Sequence, residues 1–553
     1  MTPRRGVEAA LVVALLLALA AELAWGIASD GLTNDEVLYV SAGYRQLALG
    51  DFRLSPTHPP LAPSLAALGL LGLHPRVPPL ERGEGILEWC RQFVLVQNDA
   101  GPLVARARVP VAAVTVLLAL LLWGWARALA GPVAGLAALF LVAFHPSVVA
   151  HGHLATTDAP ATAFTVLAAW AFWFWLRAPG PGRALLTAAA LGLAVATRAT
   201  SWAVLPVALV VLLGAWRDRA RPPGLGRASL VLLLATLLVV PAVLWAAYGL
   251  HDTPWPEDLM RRPRVGGAGT ALLDAADALH VVPVAYTAGL RFQLEHAREG
   301  HVGYLLGERR RTGWWSYGLV ALAVKNTPGF LLALAGAAWA FAVRRVAGSP
   351  SLRAACALSI GLALVVLAGL SLGRIQIGER YLLPAYPFLI LLAAVAVPLM
   401  GTRWQGKVVL LLLALAHAGP TLAAAPGGTL AYFNALAGGR EGGHRVLVDS
   451  NLDWGQDLPR LASWMRREGV ARVQLAYQGS DDPARFGIDE EDLPGEHLYP
   501  ARPPARPFAG VVVVSPNLLV GLVPRLADTY APLRARKPDA RAGVFFVYRL
   551  GPG

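Results

Sequence analysis

Two adjacent carboxylates, Asp35 and Glu36, stand in Thr33-Asn34-Asp35-Glu36, a few residues beyond an apolar stretch that runs from Val7 to Ile27. Carboxylates at the mouth of a membrane span are costly to desolvate and need a reason. The chemistry open to them is proton transfer: one takes a proton from an acceptor hydroxyl while the other tunes or orients it. A further acidic residue, Asp158, follows in His151-Gly152-His153-Leu154-Ala155-Thr156-Thr157-Asp158. It can face the same cleft, or cap the helix that begins near Pro160, or do both. His151, His153 and Asp158 are also residue types that ligate zinc or manganese. Two histidines two residues apart make a poor cage without further ligands, so a divalent metal is an open option and no cofactor is required.

The candidate cations lie far away in sequence. Arg380, in Gly378-Glu379-Arg380-Tyr381-Leu382-Leu383-Pro384, opens an apolar run. Its guanidinium suits a lipid phosphate, and the alternative is an arginine that snorkels at a helix end. Tyr381 beside it fits an interfacial aromatic belt. Arg198 and Lys325 interrupt apolar sequence, each either a functional charge or half of a structural ion pair. Arg198 falls at an outer turn where it can meet an anionic donor. His58 precedes Pro59-Pro60-Leu61, and the two prolines hold its ring on extended backbone, for function or for packing. Near the C-terminus, Asp449, Asn451, Asp453 and Trp454 can contact a sugar or acceptor by hydrogen bonds and stacking, or can close a turn and cap a helix.

The elements that must position these groups are mostly membrane helices. Of 553 residues 56% are hydrophobic and only 15% charged, with mean hydropathy +0.51. Apolar runs of spanning length recur about 11 times, near 7–27, 108–128, 132–150, 160–177, 184–198, 200–216, 229–249, 314–342, 354–372, 381–400 and 408–425. The net charge of +13 does not indicate nucleic acid. The basic residues sit in short clusters between apolar runs, and Arg127, Arg177, Arg183, Arg217, Arg227, Arg353 and Lys407 all fall on one side, the cytoplasmic one. The opposite face then carries loops 28–107 and 250–313, the former with a short interfacial helix at 86–97, and everything after about residue 426. The first apolar stretch reads as an uncleaved span. Cys90 and Cys356, the two cysteines, fall on opposite faces and do not pair.

From 427 to 553 the pattern changes. Apolar runs at 445–449, 473–477, 510–515 and 544–548 read as strands, and Leu458, Leu461, Trp464 and Met465 mark a helix. This order predicts a small extracytoplasmic α/β domain behind a membrane domain of residues 1–426.

Taken together, Asp35-Glu36, His58-Pro59-Pro60-Leu61, Asp158 and Arg380-Tyr381-Leu382-Leu383-Pro384 resemble the motifs of the protein O-mannosyltransferases and lipid A aminoarabinose transferases. Those are membrane glycosyltransferases of the C-type fold, and the resemblance spans nearly the whole membrane part. The tail, with Asp449 to Asp457 and Phe486-Gly487-Ile488, resembles bacterial lipid-carrier-dependent members. In two respects the chain departs from the eukaryotic mannosyltransferases: Ala62-Pro63 follows His58-Pro59-Pro60-Leu61 in place of Gly-Lys, and no trefoil-like domain interrupts an outer loop.

The resemblance implies a bacterial inner (plasma) membrane enzyme whose site faces outward, with a polyprenyl-phosphate sugar as donor and a lipid, glycan or protein hydroxyl as acceptor. It puts the catalytic aspartate at Asp35, its neighbour at Glu36 and the second-loop acid at Asp158, with Arg380, Tyr381, Arg198 and His58 around the donor phosphate. Transfer would proceed by single displacement with inversion. The competing readings are a non-catalytic transporter or lipid-binding protein, which would carry charges deep in several spans, and a ligase using a diphosphate-linked glycan.

Overall fold

The computed structural model describes residues 3–80, 85–218, 223–263, 265, 270–344, 349–400, 404–498 and 508–551. Each expected apolar run is helical. Among the described residues, eight helices are long and apolar enough to cross a membrane, or ten if each of two bent pairs is one span. The difference from about 11 lies at Pro181–Thr197. At 1.5 Å per residue this helix is about 26 Å long, short of a hydrocarbon core of about 30 Å.

Both bends have a local cause. Pro132–Ala143 and Pro146–Gly152 meet at 62°, where Pro146 lacks the N–H that would continue the ladder. Tyr317–Lys325 and Pro328–Val343 meet at 116°, where Thr327 precedes a proline and is biased away from helical backbone. The second break frees carbonyl groups inside the protein, and the tail supplies the missing donors. Asn434 donates its side-chain amide to the carbonyls of Ala323 (2.7 Å) and Asn326 (2.8 Å), and its backbone N–H to Val324 (2.9 Å). Lys325 therefore sits at a helix end rather than within a continuous span. Its Nζ donates to the carbonyls of Leu430 (2.8 Å) and Asn451 (2.6 Å) and lies 3.8 Å from Glu379.

The two long loops, 28–107 and 250–313, carry secondary structure among the described residues. Helix Asn34–Leu49 begins where Glu36 reaches back to the Thr33 N–H (3.0 Å), half of a capping box, and stops at Gly50 in left-handed backbone (φ +65°). It crosses helix Leu61–Ala67 closely at Gly43, where a Cβ would fall 2.0 Å from the Pro63 carbonyl oxygen. The expected interfacial helix at 86–97 forms as Ile86–Arg91 continued by a π-helical turn, Gln92–Val96. The later loop contributes helices Ala271–Ala278 and Val284–Glu299 and a short hairpin, Gly303–Leu305 with Glu308–Arg310.

Beyond the membrane helices, the strand expected at 445–449 is absent. That segment forms short 3-10 turns, Gly443–Arg445 and Asp449–Asn451. Its apolar residues are buried by packing rather than by a ladder: Val448 packs with Tyr304 and Leu522, and the Val446 carbonyl accepts from the Leu306 N–H (3.0 Å). The other three expected strands form, and two more join them. The five-stranded sheet runs Asp489–Asp492, Arg472–Ala476, Val511–Val514, Phe545–Arg549, Ala540–Ala542, parallel over the first three and antiparallel after that. Helix Leu458–Glu468 covers one face through Leu458, Leu461, Trp464 and Met465. Leu518, Leu533 and Tyr530 cover the other.

The crossing at Gly43 is testable. Gly43→Ala should lower the melting temperature of the detergent-purified protein, since overpacking against backbone costs about 1–3 kcal/mol. An unchanged melting temperature would mean that the two loop helices are not packed as described.

Candidate active site

Asp35 stands in the first turn of helix Asn34–Leu49, and the loop before that helix is fixed from several directions. The Gly31 N–H donates to the Gln456 carbonyl (2.8 Å) and the Asn34 N–H to the Trp454 carbonyl (3.0 Å). The Leu32 N–H donates to Asp481 (3.0 Å), and Ser480 bonds the Asn34 side chain (3.1 Å). Asp30 joins His153 (3.0 Å) and Arg460 (2.6 Å). These contacts hold the Asp30 carboxyl well below the usual range against the opposing effect of burial.

From that fixed turn the Asp35 side chain projects, about one-third exposed, to Arg380, whose Nη1 donates to its carboxylate at 2.6 Å. Arg380 heads the 3-10 segment Glu379–Ala385, which leads into helix Tyr386–Ala396. The same nitrogen lies 3.7 Å from Asp158, the first residue of helix Asp158–Arg177. Asp158 is also ion-paired with Arg198, which sits in extended backbone where helix Pro181–Thr197 ends. Aromatic faces bound these cations. The Arg380 guanidinium lies 4.3 Å from the Trp454 ring centre and 5.5 Å from that of Tyr381, and Arg198 lies 5.3 Å from Tyr381. Arg380 keeps one buried N–H, at Nε, without a hydrogen-bond partner among the described residues.

The structure thus brings together Asp35, Asp158, Arg198, Arg380, Tyr381 and Trp454, from five separate stretches of chain. His58 stands at the edge of the group. Its ring meets Tyr39 edge-on at 5.8 Å and bonds Thr57 (3.0 Å), with Gln293 from helix Val284–Glu299 at 3.5 Å. Burial, reinforced by Arg198, pulls the His58 pKa down to about 3, so the imidazole is neutral at physiological pH. Asp449 has left-handed backbone (φ +61°), and burial raises its carboxyl to about 6 while Arg380 opposes the rise.

Other expected site residues have different tasks. Glu36 does not join the cluster around Arg380 with Asp35: its side chain is fully buried and both its oxygens are occupied. Oε1 accepts from Arg108 Nε (2.8 Å) and the Ala155 N–H (2.8 Å), and Oε2 from Arg108 Nη2 (2.7 Å), the Thr33 hydroxyl (2.9 Å) and the Thr33 N–H (3.0 Å).

Asn451 and Asp453 are likewise buried rather than presented to a sugar. Asn451 bonds the Glu379 N–H, the Tyr317 hydroxyl and the Val448 carbonyl, and Asp453 accepts from the Gly455 N–H. His151, His153 and Asp158 do not form a common cage. His153 turns to Asp30 and the Val149 carbonyl, His151 packs edge-on to Trp454, and no group of three or more metal-ligating side chains converges among the described residues.

Arg108 and Tyr39 were missed from sequence. Arg108, buried near the start of helix Ala100–Ala130, carried a signal: an arginine inside an apolar run. Tyr39 carried none beyond lying one helical turn after Asp35.

Residues 101–245 match the family described as dolichyl-phosphate-mannose-protein mannosyltransferase. The chain carries a mannosyltransferase-like segment. That segment contains Asp158 and Arg198, while Asp35, His58 and Arg380 lie outside it.

The chain is also similar to solved structures. Against ArnT from Cupriavidus metallidurans bound to undecaprenyl phosphate, identity is 14% over 98% of this chain and 99% of that one, with a TM-score of 0.48. An oligosaccharyltransferase from Archaeoglobus fulgidus gives 14% over 91% of this chain and 62% of that one, at 0.48. The S. cerevisiae protein O-mannosyltransferase Pmt1-Pmt2 complex bound to the sugar donor gives 21% over 48% of this chain, with a TM-score of 0.36, and the chain covers 35% of its length. Comparison with curated protein sequences gives no match.

Two predictions follow from the buried carboxylates. Glu36→Gln should destabilise the protein by about 3–5 kcal/mol, because it leaves the buried Arg108 charge uncompensated. Thermal unfolding in detergent checks this, and an unaltered melting temperature would rule out the structural role. Burial raises Asp453 to about 7, above its value in the unfolded chain. The folded state then binds more protons than the unfolded one from about pH 4 to 7, so this group's contribution is complete in acid and lost as pH rises through 7. Asp453→Asn should therefore raise the melting temperature more at pH 8 than at pH 4; equal changes at both would show that Asp453 ionises normally.

Proposed function

We propose that this protein transfers a glycosyl group from a polyprenyl-phosphate-linked sugar to a hydroxyl acceptor, with inversion, at the outer face of the membrane. One observation carries the reading: Arg380 is shared between Asp35 and Asp158 on the floor formed by Trp454. The donor phosphate binds Arg380, drawing on its unpaired Nε–H and competing with Asp35 for Nη1. Guanidinium and phosphate match in geometry as well as charge. Asp158 stays paired with Arg198 and keeps that cation in place.

Freed from Arg380, Asp35 faces the acceptor. It takes the hydroxyl proton as the acceptor oxygen attacks the anomeric carbon from the side opposite the phosphate. The bond from anomeric carbon to phosphate oxygen breaks, and its electron pair leaves with the polyprenyl phosphate. The proton that arrives neutralises Asp35 as the phosphate gains charge, so Arg380 is released to the leaving group when it is most needed. No general acid is required for such a leaving group. His58, neutral and held by Thr57, shapes the donor side of the cleft. The mannosyltransferase-like segment supports a lipid-phosphate sugar as the donor class.

The test is direct. Purified protein in lipid, offered a panel of polyprenyl-phosphate sugars, should release polyprenyl phosphate from one of them. Asp35→Asn should reduce that release by about 100-fold or more with the melting temperature unchanged. Release from no donor, with membrane extract present as acceptor source, would overturn the proposal, as would an Asp35→Asn variant as active as the parent.

A further inference from the structure

A cavity of about 390 Å³ lies between the C-terminal sheet and the end of membrane helix Trp404–Ala424. It contains none of the residues around Arg380, although Leu452 on its wall belongs to the loop that carries Trp454. Arg440, Arg460, Arg467 and Arg541 line it, with Gly427 and Ser463. The carboxylates nearby do not balance them. Asp457 pairs with Arg440 (3.0 Å) and Arg460 (2.6 Å), and Asp30 pairs with Arg460 (2.6 Å). With Glu441 on the wall, four guanidinium groups face three carboxylates.

Two of the arginines are built into the wall with unused capacity. Arg541 gives its hydrogens to the carbonyls of Val544 (3.1 Å) and Glu441 (3.0 Å) and lies 3.4 Å from the Phe546 ring centre, with no ion pair among the described residues. Arg440 has a buried Nε–H without a partner among the described residues. Its guanidinium rests on bare backbone at Gly427, where a Cβ would fall 1.7 Å from Nη1. Burial lowers the pKa of both, that of Arg541 to about 10. Such groups gain when an anion enters, because each buried charge then has its counterpart.

We propose that this cavity binds a phosphate-bearing anion. Two sources share that chemistry: the headgroup of an anionic phospholipid, and free phosphate. The wall residues Pro426 and Gly427 directly follow the membrane helix, so a headgroup at the membrane surface reaches the cavity without leaving its leaflet. The guanidinium groups would hold the phosphate by paired hydrogen bonds. The site stands apart from the proposed glycosyl transfer.

The experiment uses the full chain, delipidated in detergent. It follows thermal stabilisation and retained lipid during titration with phosphatidylglycerol, with phosphatidylcholine, or with inorganic phosphate. Saturable stabilisation by phosphatidylglycerol but not phosphatidylcholine, weakened about tenfold or more in Arg541→Gln, identifies a lipid site. The same pattern with inorganic phosphate alone identifies a soluble anion. Arg467→Gln, at an exposed residue on the rim, should weaken binding without perturbing the fold, which covers the case of an unfolded Arg541 variant. Asp35→Asn should bind like the parent, separating this site from the glycosyl-transfer reading. Equal titrations for parent and both arginine variants, or no saturable effect of either anion, would overturn the proposal.

Discussion

The Glu36–Arg108 pair is the constraint on which the candidate site rests. Both side chains are almost wholly buried, where an unpaired charge would cost several kcal/mol. Their hydrogen bonds therefore have to be complete, and completing them brings four pieces of chain together. Arg108, on a membrane helix, also donates to the carbonyls of Asp30 and Gly31 at 2.7 Å each, at the exit of the first helix. Glu36 accepts from Ala155 in the turn before helix Asp158–Arg177. The residue next to Glu36 is Asp35, and the residue three beyond Ala155 is Asp158. A buried ion pair that takes no part in the cleft thereby sets how far apart the two cleft carboxylates stand.

The C-terminal part completes this arrangement. Trp454 binds the Asn34 N–H through its carbonyl and underlies Arg380 with its ring, so one residue supports both partners of the Asp35–Arg380 pair. Asn434 and Asn451 meanwhile satisfy groups at the broken helix near Lys325 and at Glu379. In low-dielectric surroundings backbone groups freed by a break need partners. The tail supplies them, which explains why residues 429–457 pack into the membrane helices before the sheet begins.

The charged cluster is close to electrically neutral in this state, with Asp35 and Asp158 facing Arg198 and Arg380. A ligand anion that reaches Arg380 Nη1 competes there with the Asp35 carboxylate. Under the proposed function this couples donor binding to exposure of the base, and it distinguishes the cluster from the arginine-lined cavity beside the membrane, where charge is left over.

Local pattern determined much of this protein. Long apolar runs become helices, short apolar runs at 473–477, 510–515 and 544–548 become strands, and Asp35, Asp158, Arg198 and Arg380 stand out because charge beside a membrane span is rare. Such features depend on near neighbours in sequence, so sequence displays them. Only the tertiary structure decided the rest. Asp35 and Glu36 are adjacent and chemically alike, yet a helix points successive side chains in different directions, one onto Arg380 and the other onto Arg108. Val446 to Val448 have the composition of a strand but meet side chains rather than a sheet edge. His151 and His153 face different neighbours, and Asn451 and Asp453 are spent on holding the chain. The partner of Arg380 lies 345 residues away. A polar group's role is set by which partner satisfies it, and that choice is made across the fold.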